Sequence, residues 1–238
     1  MERKTQEQKL LVEKLNQSER MASLGEMIAS VSHEIKNPLG IIRSTADLLE
    51  KKVMQFEPQN QLATVIREEA DRLNRIVTEF LDFARPQIPR MSQVRVETVL
   101  EKNLHFLDPE LTRRRITVQK DFIPGAQTIP LDQDLLYRAF LNILLNAVQA
   151  MPEGGRIGIK VRYISREVII EINDSGSGLS EEERVKAFQP FFTTKEKGSG
   201  LGLAIVKNII EAHNGTIQMI NSESGGTSVV ITLPRKKE

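Results

Sequence analysis

Residues 24–49 read LGEMIASVSHEIKNPLGIIRSTADLL, and the spacing of the apolar side chains in this stretch sets how the whole chain divides. Leu24, Ile28, Val31 and Ile35 follow one another in steps of four and three, and Ile42 and Leu49 continue in sevens. That is a heptad seam on a helix. A second run, Leu62, Ile66, Leu73, Ile76, Phe80 and Phe83, is interrupted only at Glu69. Met54 to Asn60, with Pro58, supplies the turn between them. Two helices alone bury both stripes poorly, so this antiparallel hairpin is expected to pair with a second copy as a dimeric four-helix bundle.

Working outward, residues 1–19 are also helical in character, but Leu11 and Leu15 fall out of phase with Leu24 and Ile28. They read as a coiled-coil linker with a register shift or as a frayed end. The hairpin domain is placed at 20–86. From Pro86 onward the pattern changes, and 87–238 is read as a second domain. Residues 92–122 are less regular, with strands expected near Val94–Val96 and Ile116–Asp121. Asp132 offers an N-cap for a helix from Gln133 to Met151. Alternation at Ile157, Ile159, Val161 and Tyr163, and again at Val168, Ile170 and Ile172, predicts two strands. A helix over Gly200–Ala212 and strands over Thr216–Asn221 and Thr227–Leu233 complete an α/β sandwich, a sheet with helices on one face.

The totals narrow the chemistry. The 238 residues hold no cysteine, which excludes disulfides, thiolate catalysis and cysteine-based zinc sites and suits a cytoplasmic setting. A net charge of +1 gives no reason to expect a nucleic-acid partner. No run of 18 apolar residues is present, so membrane attachment is expected only through a sensor region outside this chain.

With Ile28 at heptad position a and Val31 at d, His33 falls at f, furthest from the seam. Packing does not account for a histidine there. Glu34 beside it can accept the Nδ1 proton and leave Nε2 as a nucleophile, and a positioned base of this kind is worth about 10²–10⁴ in rate. Pro38 removes the helical partner of the Glu34 carbonyl, so the helix is expected to bend one turn from the histidine. In the second domain, Asp174-Ser175-Gly176-Ser177-Gly178 follows a strand, and Gly198-Ser199-Gly200-Leu201-Gly202 opens a helix. Bare backbone N–H groups at a helix start bind phosphate oxygens. Neither loop is a Walker A or a Rossmann fingerprint. Asn142 and Asn146, spaced i, i+4, share a helix face and offer amide oxygens suited to a Mg²⁺ ion held mainly by phosphates and water.

Ser32-His33-Glu34-Ile35-Lys36-Asn37-Pro38-Leu39 resembles the H-box of the bacterial sensor histidine kinases. Asn142–Ala150, Asp174–Gly178, Phe188–Lys195, Gly198–Gly202 and Gly226-Thr227 resemble, in order, the boxes of the ATP-binding domain shared by histidine kinases, Hsp90, gyrase and MutL. The runs at 81–86 and 146–151 look most like the nitrogen-regulation type. The resemblance implies phosphorylation of His33 with ATP, proton transfer aided by Glu34, and phosphatase activity supported by Asn37. It also implies Mg²⁺ on Asn146, adenine on Asp174 with help from Thr227, and a mobile lid between Ser180 and Gly198. In that lid Phe188, Phe191 and Phe192 form an apolar plug and Lys195 reaches a phosphate. Homodimerisation and transfer of the phosphoryl group to a response-regulator receiver domain are implied as well. Gln149 stands where some members of the family carry a basic residue. His105 is given no catalytic role, and a cap interaction at a helix end is expected to account for His213.

Overall fold

The computed structural model describes residues 36–37, 39–53, 62–84, 87–122, 127–164, 166–195, 198–222 and 225–235. They fall into two compact units, one drawn from Met1–Pro86 and Lys195–Ser199, the other from Gln87–Thr194 and Gly200–Glu238. His33, Glu34, residues 1–19 and the turn at 54–60 lie outside the described residues.

The first unit contains helix α1, residues 39–53, and helix α2, Leu62–Ala84. Glu50 near the end of α1 accepts hydrogen bonds from Thr64 Oγ1 at 2.5 Å and from Arg67 at 3.0 Å near the start of α2. Arg43, earlier in α1, pairs with Asp71, later in α2, at 3.5 Å. The two helices therefore run antiparallel. Small side chains do most of the packing, with Leu39, Ala46, Ala63, Ala70 and Ala84 buried. Several large apolar residues of the heptad reading are left outside: Ile42, Leu49, Leu62, Ile66 and Leu73 are each more than 40% exposed, while Ile76, Phe80 and Phe83 are half-buried.

The second unit is a five-stranded mixed sheet with helices on one face. Its strands are β2 (Ile116–Phe122), β4 (Gly155–Tyr163), β5 (Glu167–Asp174), β6 (Thr216–Asn221) and β7 (Thr227–Pro234), in the order β2-β4-β5-β7-β6. Only the β2–β4 pair is parallel. A two-stranded antiparallel ribbon joins β1 (Ser92–Val94) to β3 (Ile129–Leu131). Alternation does what period-two patterning dictates. Ile157, Ile159, Val161, Ile170, Ile172 and Ile231 point into the core, while Lys160, Glu171 and Asn173 point outward. That outer face carries a shallow polar concavity of about 760 Å³ with Gly158 in its lining.

Three helices cover the inner face: α3 (Val96–Arg113), α4 (Gln133–Gln149) and α6 (Gly202–Ala212). Helix α4 is central. Its Leu136, Ala139, Phe140, Ile143, Leu144, Ala147 and Val148 are buried, and its N-cap is Asp132, whose Oδ1 accepts from the N–H groups of Asp134 and Leu135, both at 3.0 Å. A short helix, α5 (Glu181–Lys186), opens with a complete capping box between Ser180 and Glu183.

Two expectations need correction. The stretch 92–122 holds a full helix: the strand lies at Ser92–Val94, and Val96 starts α3 instead of closing a strand. Helix α6 starts at Gly202 and not at Gly200, because Gly200 sits at φ +72 and is in the preceding turn.

Phe140 is completely buried and Phe106, on α3, is 62% exposed. Phe140→Ala is expected to lower unfolding free energy by about 3–5 kcal/mol. Phe106→Ala is expected to change it by less than ~0.5 kcal/mol. Urea unfolding followed by circular dichroism measures both, and equal effects would contradict this placement of the core.

Candidate functional site

Strand β5 ends in Asp174, which is 7% exposed. One of its oxygens, Oδ1, accepts from the N–H of Gly176 at 2.8 Å and of Thr227 at 3.3 Å. The other, Oδ2, has no hydrogen bond among the described residues. Burial pushes the carboxyl above its ordinary range, and the two N–H donors only partly oppose this. The site thus begins as a buried acceptor that the protein satisfies on one side.

Glycines press against this carboxylate. A Cβ on Gly226 would lie 2.1 Å from the Asp174 carbonyl oxygen and 2.6 Å from Oδ1, so only glycine lets the start of β7 approach. Gly178 comes against the carbonyl oxygen of Gly225, and Gly176 against the end of α4, where a Cβ would be 2.7 Å from the Ala150 carbonyl oxygen. Asn146 lies one turn earlier on α4, and Asn142 one turn before that, both half-buried. Gly202, the first residue of α6, sits against Asn142, whose Oδ1 would be 3.4 Å from an added Cβ. Asn142, Asn146, Gly176, Gly178, Gly202, Asp174 and Thr227 therefore belong to one end of the second unit, where α4, α6 and the ends of β5 and β7 meet.

The remaining expected residues are placed less uniformly. Gly200 holds φ +72, and its carbonyl accepts from the Phe191 N–H at 3.0 Å; a Cβ there would strike Phe191 backbone at 2.4 Å. Leu201 is completely buried, so its side chain belongs to the core and only its backbone can face a ligand. Of the plug phenylalanines, Phe188 and Phe192 are half-buried and Phe191 is 59% exposed. Lys195 is exposed; with Gly198 it lies in the five-residue segment that groups with the helical unit, so the second unit by itself does not contain them. Asn37 is helical and exposed.

The donors suit a hydrated Mg²⁺ ion better than a protein-caged one. Asn142 and Asn146 supply neutral amide oxygens, and the described residues contain no cluster of three His, Cys, Asp or Glu that could hold a metal ion by themselves. An ion here would take most of its ligands from phosphates and water.

Residues 23–88 match the family model of the His Kinase A (phospho-acceptor) domain, and residues 131–237 match that of the histidine kinase-, DNA gyrase B- and HSP90-like ATPases. Sensor histidine kinase ZraS of Escherichia coli strain K12 is 36% identical over 228 residues, covering 94% of this chain and 48% of its own length. The chain belongs to the sensor histidine kinases. Sporulation kinase E of Bacillus subtilis is 34% identical over 230 residues, 96% of this chain and 31% of its own length. Among solved structures, full-length ShkA in complex with AMPPNP superposes with a TM-score of 0.75 at 25% identity, over 90% of this chain and 46% of its own. Histidine kinase ThkA in complex with response regulator protein TrrA gives 0.69 at 27% identity, over 92% and 64%. The chain spans about half the length of ZraS and a third of sporulation kinase E.

Two residues of the family's second domain escaped the sequence reading of the site. Gly226 carries no role in the sequence pattern beyond standing next to Thr227, although the Gly-Gly-Thr run after a loop is a signal for it. His213 is the C-cap of α6 as expected, but it is also 2% exposed and accepts, through Nε2, the N–H of Asp132 at 3.0 Å.

Gly226→Ala is expected to destabilise the second unit by roughly 1–3 kcal/mol, the usual cost of overpacking. Gly158→Ala, whose nearest neighbour would be 3.8 Å away, is expected to be neutral or slightly stabilising. Thermal unfolding of the two variants tests the contrast, and an unperturbed Gly226→Ala would rule out the close approach.

Proposed function

We propose that this chain is the catalytic core of a two-component sensor histidine kinase that moves the γ-phosphoryl group of ATP onto His33 and then to an aspartate of a response regulator. The observation that carries the reading is the Asp174 carboxylate, half-satisfied and closely approached by Gly176 and Gly226, on a chain that also carries His33-Glu34 in a phospho-acceptor match.

In this reading Asp174 Oδ2 accepts the adenine amino group, Thr227 assists, and the backbone of Gly200–Gly202 at the start of α6 faces phosphate oxygens. Asn146 would hold Mg²⁺, with Asn142 beside it, and the ion would supply charge neutralisation for the phosphates. Lys195 and Gly198, in the lid between Ser180 and Gly198, add a cation and backbone donors as the lid closes. Nε2 of His33 attacks the γ-phosphorus, the bond to the β–γ bridging oxygen breaks, ADP leaves, and Glu34 holds the Nδ1 proton. Positioning and charge neutralisation supply most of the rate. Asn37, exposed one turn beyond the histidine, orients water for dephosphorylation of the regulator. The fold neighbour solved with a response regulator, ThkA with TrrA, supports the partner class.

The active form is a homodimer. Ile42, Leu49, Leu62, Ile66 and Leu73 line the hairpin with apolar surface that the single chain leaves in water, and burying such side chains is worth about 1.5–3 kcal/mol each. The core works in the cytoplasm and reaches a membrane only through a sensor region. No helix of the described residues is long and apolar enough to span one.

His33→Gln keeps a polar side chain without a ring nitrogen. It is expected to bind ATP normally and to take up no labelled phosphate; retained label would remove His33 as the acceptor. Asp174→Asn places an amide donor where the adenine amino group donates, and is expected to weaken ATP binding at least tenfold by calorimetry. The wild-type label should be acid-labile and base-stable, whereas a hydroxyl phosphate would show the reverse and point to a serine-type kinase.

Ile66→Glu combined with Leu73→Glu is expected to convert the protein to a monomer with unchanged helix content. Light scattering after gel filtration measures this. A dimer that survives both charges would place the interface elsewhere.

A further inference from the structure

Asp132 is 8% exposed, and each of its polar groups is engaged. Oδ1 caps α4 through the N–H groups of Asp134 and Leu135. Oδ2 accepts the N–H of Arg90 at 2.7 Å. Its own N–H donates to Nε2 of His213 at 3.0 Å, and its carbonyl accepts from Leu136 N–H at 3.0 Å. His213 is the end of α6, and its Nδ1 lies 2.8 Å from the Ile209 carbonyl oxygen. Since a backbone N–H is always the donor, Nε2 is unprotonated, so Nδ1 carries the proton and donates to Ile209.

This one residue therefore joins three pieces of chain. Arg90 lies in the segment through which the chain enters the second unit, a segment continued by the pairing of Ser92 with Leu131 and Val94 with Ile129. The second piece is the start of α4, which carries Asn142 and Asn146. The third is the end of α6, whose start carries Gly202. The two helices run antiparallel: Asp132 meets His213 at one end, and Asn142 meets Gly202 at the other. Asn142 is ten residues from the cap, about 15 Å along the axis at 1.5 Å per residue. A register slip at the Asp132–His213 contact would be carried undiminished to the asparagine and glycine faces, because packed helices move as rigid rods.

We infer that Asp132 is a positioning residue for phosphoryl transfer, tying the entering segment at Arg90 to the register of the two nucleotide helices through His213. The inference rests on the nucleotide reading given above. It assigns separate tasks to the two bonds. The His213 bond sets the α4–α6 register and so affinity for nucleotide. The Arg90 bond holds the entering segment to that frame and so affects the transfer step once ATP is bound. A carboxylate is required for the second task. Asparagine caps a helix as well as aspartate, but its amide nitrogen cannot accept from Arg90 while its oxygen caps α4.

The test uses the full chain. Asp132→Asn is expected to bind ATP within about twofold of wild type by calorimetry, while autophosphorylation at saturating ATP falls about tenfold, the factor a single hydrogen bond to a charged group commands, and the melting temperature drops by the few degrees that one lost buried hydrogen bond costs. His213→Leu is expected to raise the ATP dissociation constant, and His213→Gln, which can return an acceptor at the Nε2 position, to restore most of it. Asp132→Asn labelling at the wild-type rate would overturn the tether. A parallel fall in stability, affinity and rate would reduce Asp132 to a helix cap and overturn it equally. Asp174→Asn run alongside separates the cases: normal ATP binding by that variant sinks the nucleotide reading, whatever Asp132→Asn does. A wild-type chain that fails to bind ATP sinks both.

Discussion

A carboxylate at the end of β5 organises the candidate site, because burying an ion is tolerable only when its partners are fixed in advance. Asp174 obtains two backbone N–H groups, from Gly176 and Thr227, and both reach the same oxygen. Those donors arrive on different segments, the turn after β5 and the first residue of β7. The carboxylate can be held only if the two strands are in register and the turn folds back tightly. Gly226 lets β7 come within contact of the Asp174 backbone, where any side chain would overlap it. The antiparallel pairing of Asn173 with Ser228 then fixes the approach. Sheet register, glycine placement and carboxylate position are in this sense one constraint.

The helices answer to the same end of the sheet. Helix α4 presses its Ala150 end against Gly176, and α6 presses its first residue against Asn142. One added carbon at Gly176 would meet the Ala150 carbonyl oxygen at 2.7 Å, whereas at Gly202 it would sit at ordinary contact distance, 3.4 Å from Asn142 Oδ1. The glycines of the two loops are therefore explained by proximity as much as by backbone freedom, Gly178 at φ +69 and Gly200 at φ +72 being the positions where both apply.

What the sequence made legible followed the strength of the local signal. The strands of the main sheet alternate cleanly, and α4 has both a capping aspartate and a continuous apolar face, so their limits were readable to within two residues. Helix α3 was not, although Val96, Val99, Leu100, Leu104, Leu107 and Leu111 form a good stripe. Its cap position is Arg95, which makes no side-chain cap, Pro109 sits within it, and its buried face includes Glu97 and Asn103. Those polar residues are admitted by specific partners: Tyr163 donates to Glu97 at 2.9 Å, and Asn103 donates to the Val99 carbonyl at 3.0 Å. The Tyr163 contact, made from β4, is tertiary and invisible to periodicity. Helix α5 is the opposite case, since Ser180 and Glu183 spell a capping box that was there to be read. The link from His213 to Asp132 spans 81 residues and has no sequence signature at all. The hairpin was legible as a pattern of apolar residues, but among the described ones Ile42, Leu49, Leu62, Ile66 and Leu73 lie outside the contact that the two helices make with each other.

Asp132 and Asp174 are both buried carboxylates at strand ends, and their surroundings drive them in opposite directions. For Asp132 burial alone would raise the pKa, but the N–H groups of Leu135, Arg90 and Asp134 outweigh it and hold the carboxyl below its ordinary range. Its ionised form therefore adds stability above the ordinary carboxylate pKa, and that contribution is lost as pH falls through the lowered folded value. For Asp174 burial wins over two donors, and the pKa is raised. Its ionised form costs stability at neutral pH, and the cost is relieved as pH falls through the raised value. A fully partnered carboxylate of the first kind has no capacity left for a ligand and serves the frame. One of the second kind gains by meeting a donor from outside, because a hydrogen bond at its open oxygen offsets the desolvation that the fold imposes. The balance of donors against burial thus leaves residue 132 satisfied by the fold and residue 174 with room for one further donor, which is consistent with the adenine contact proposed for it.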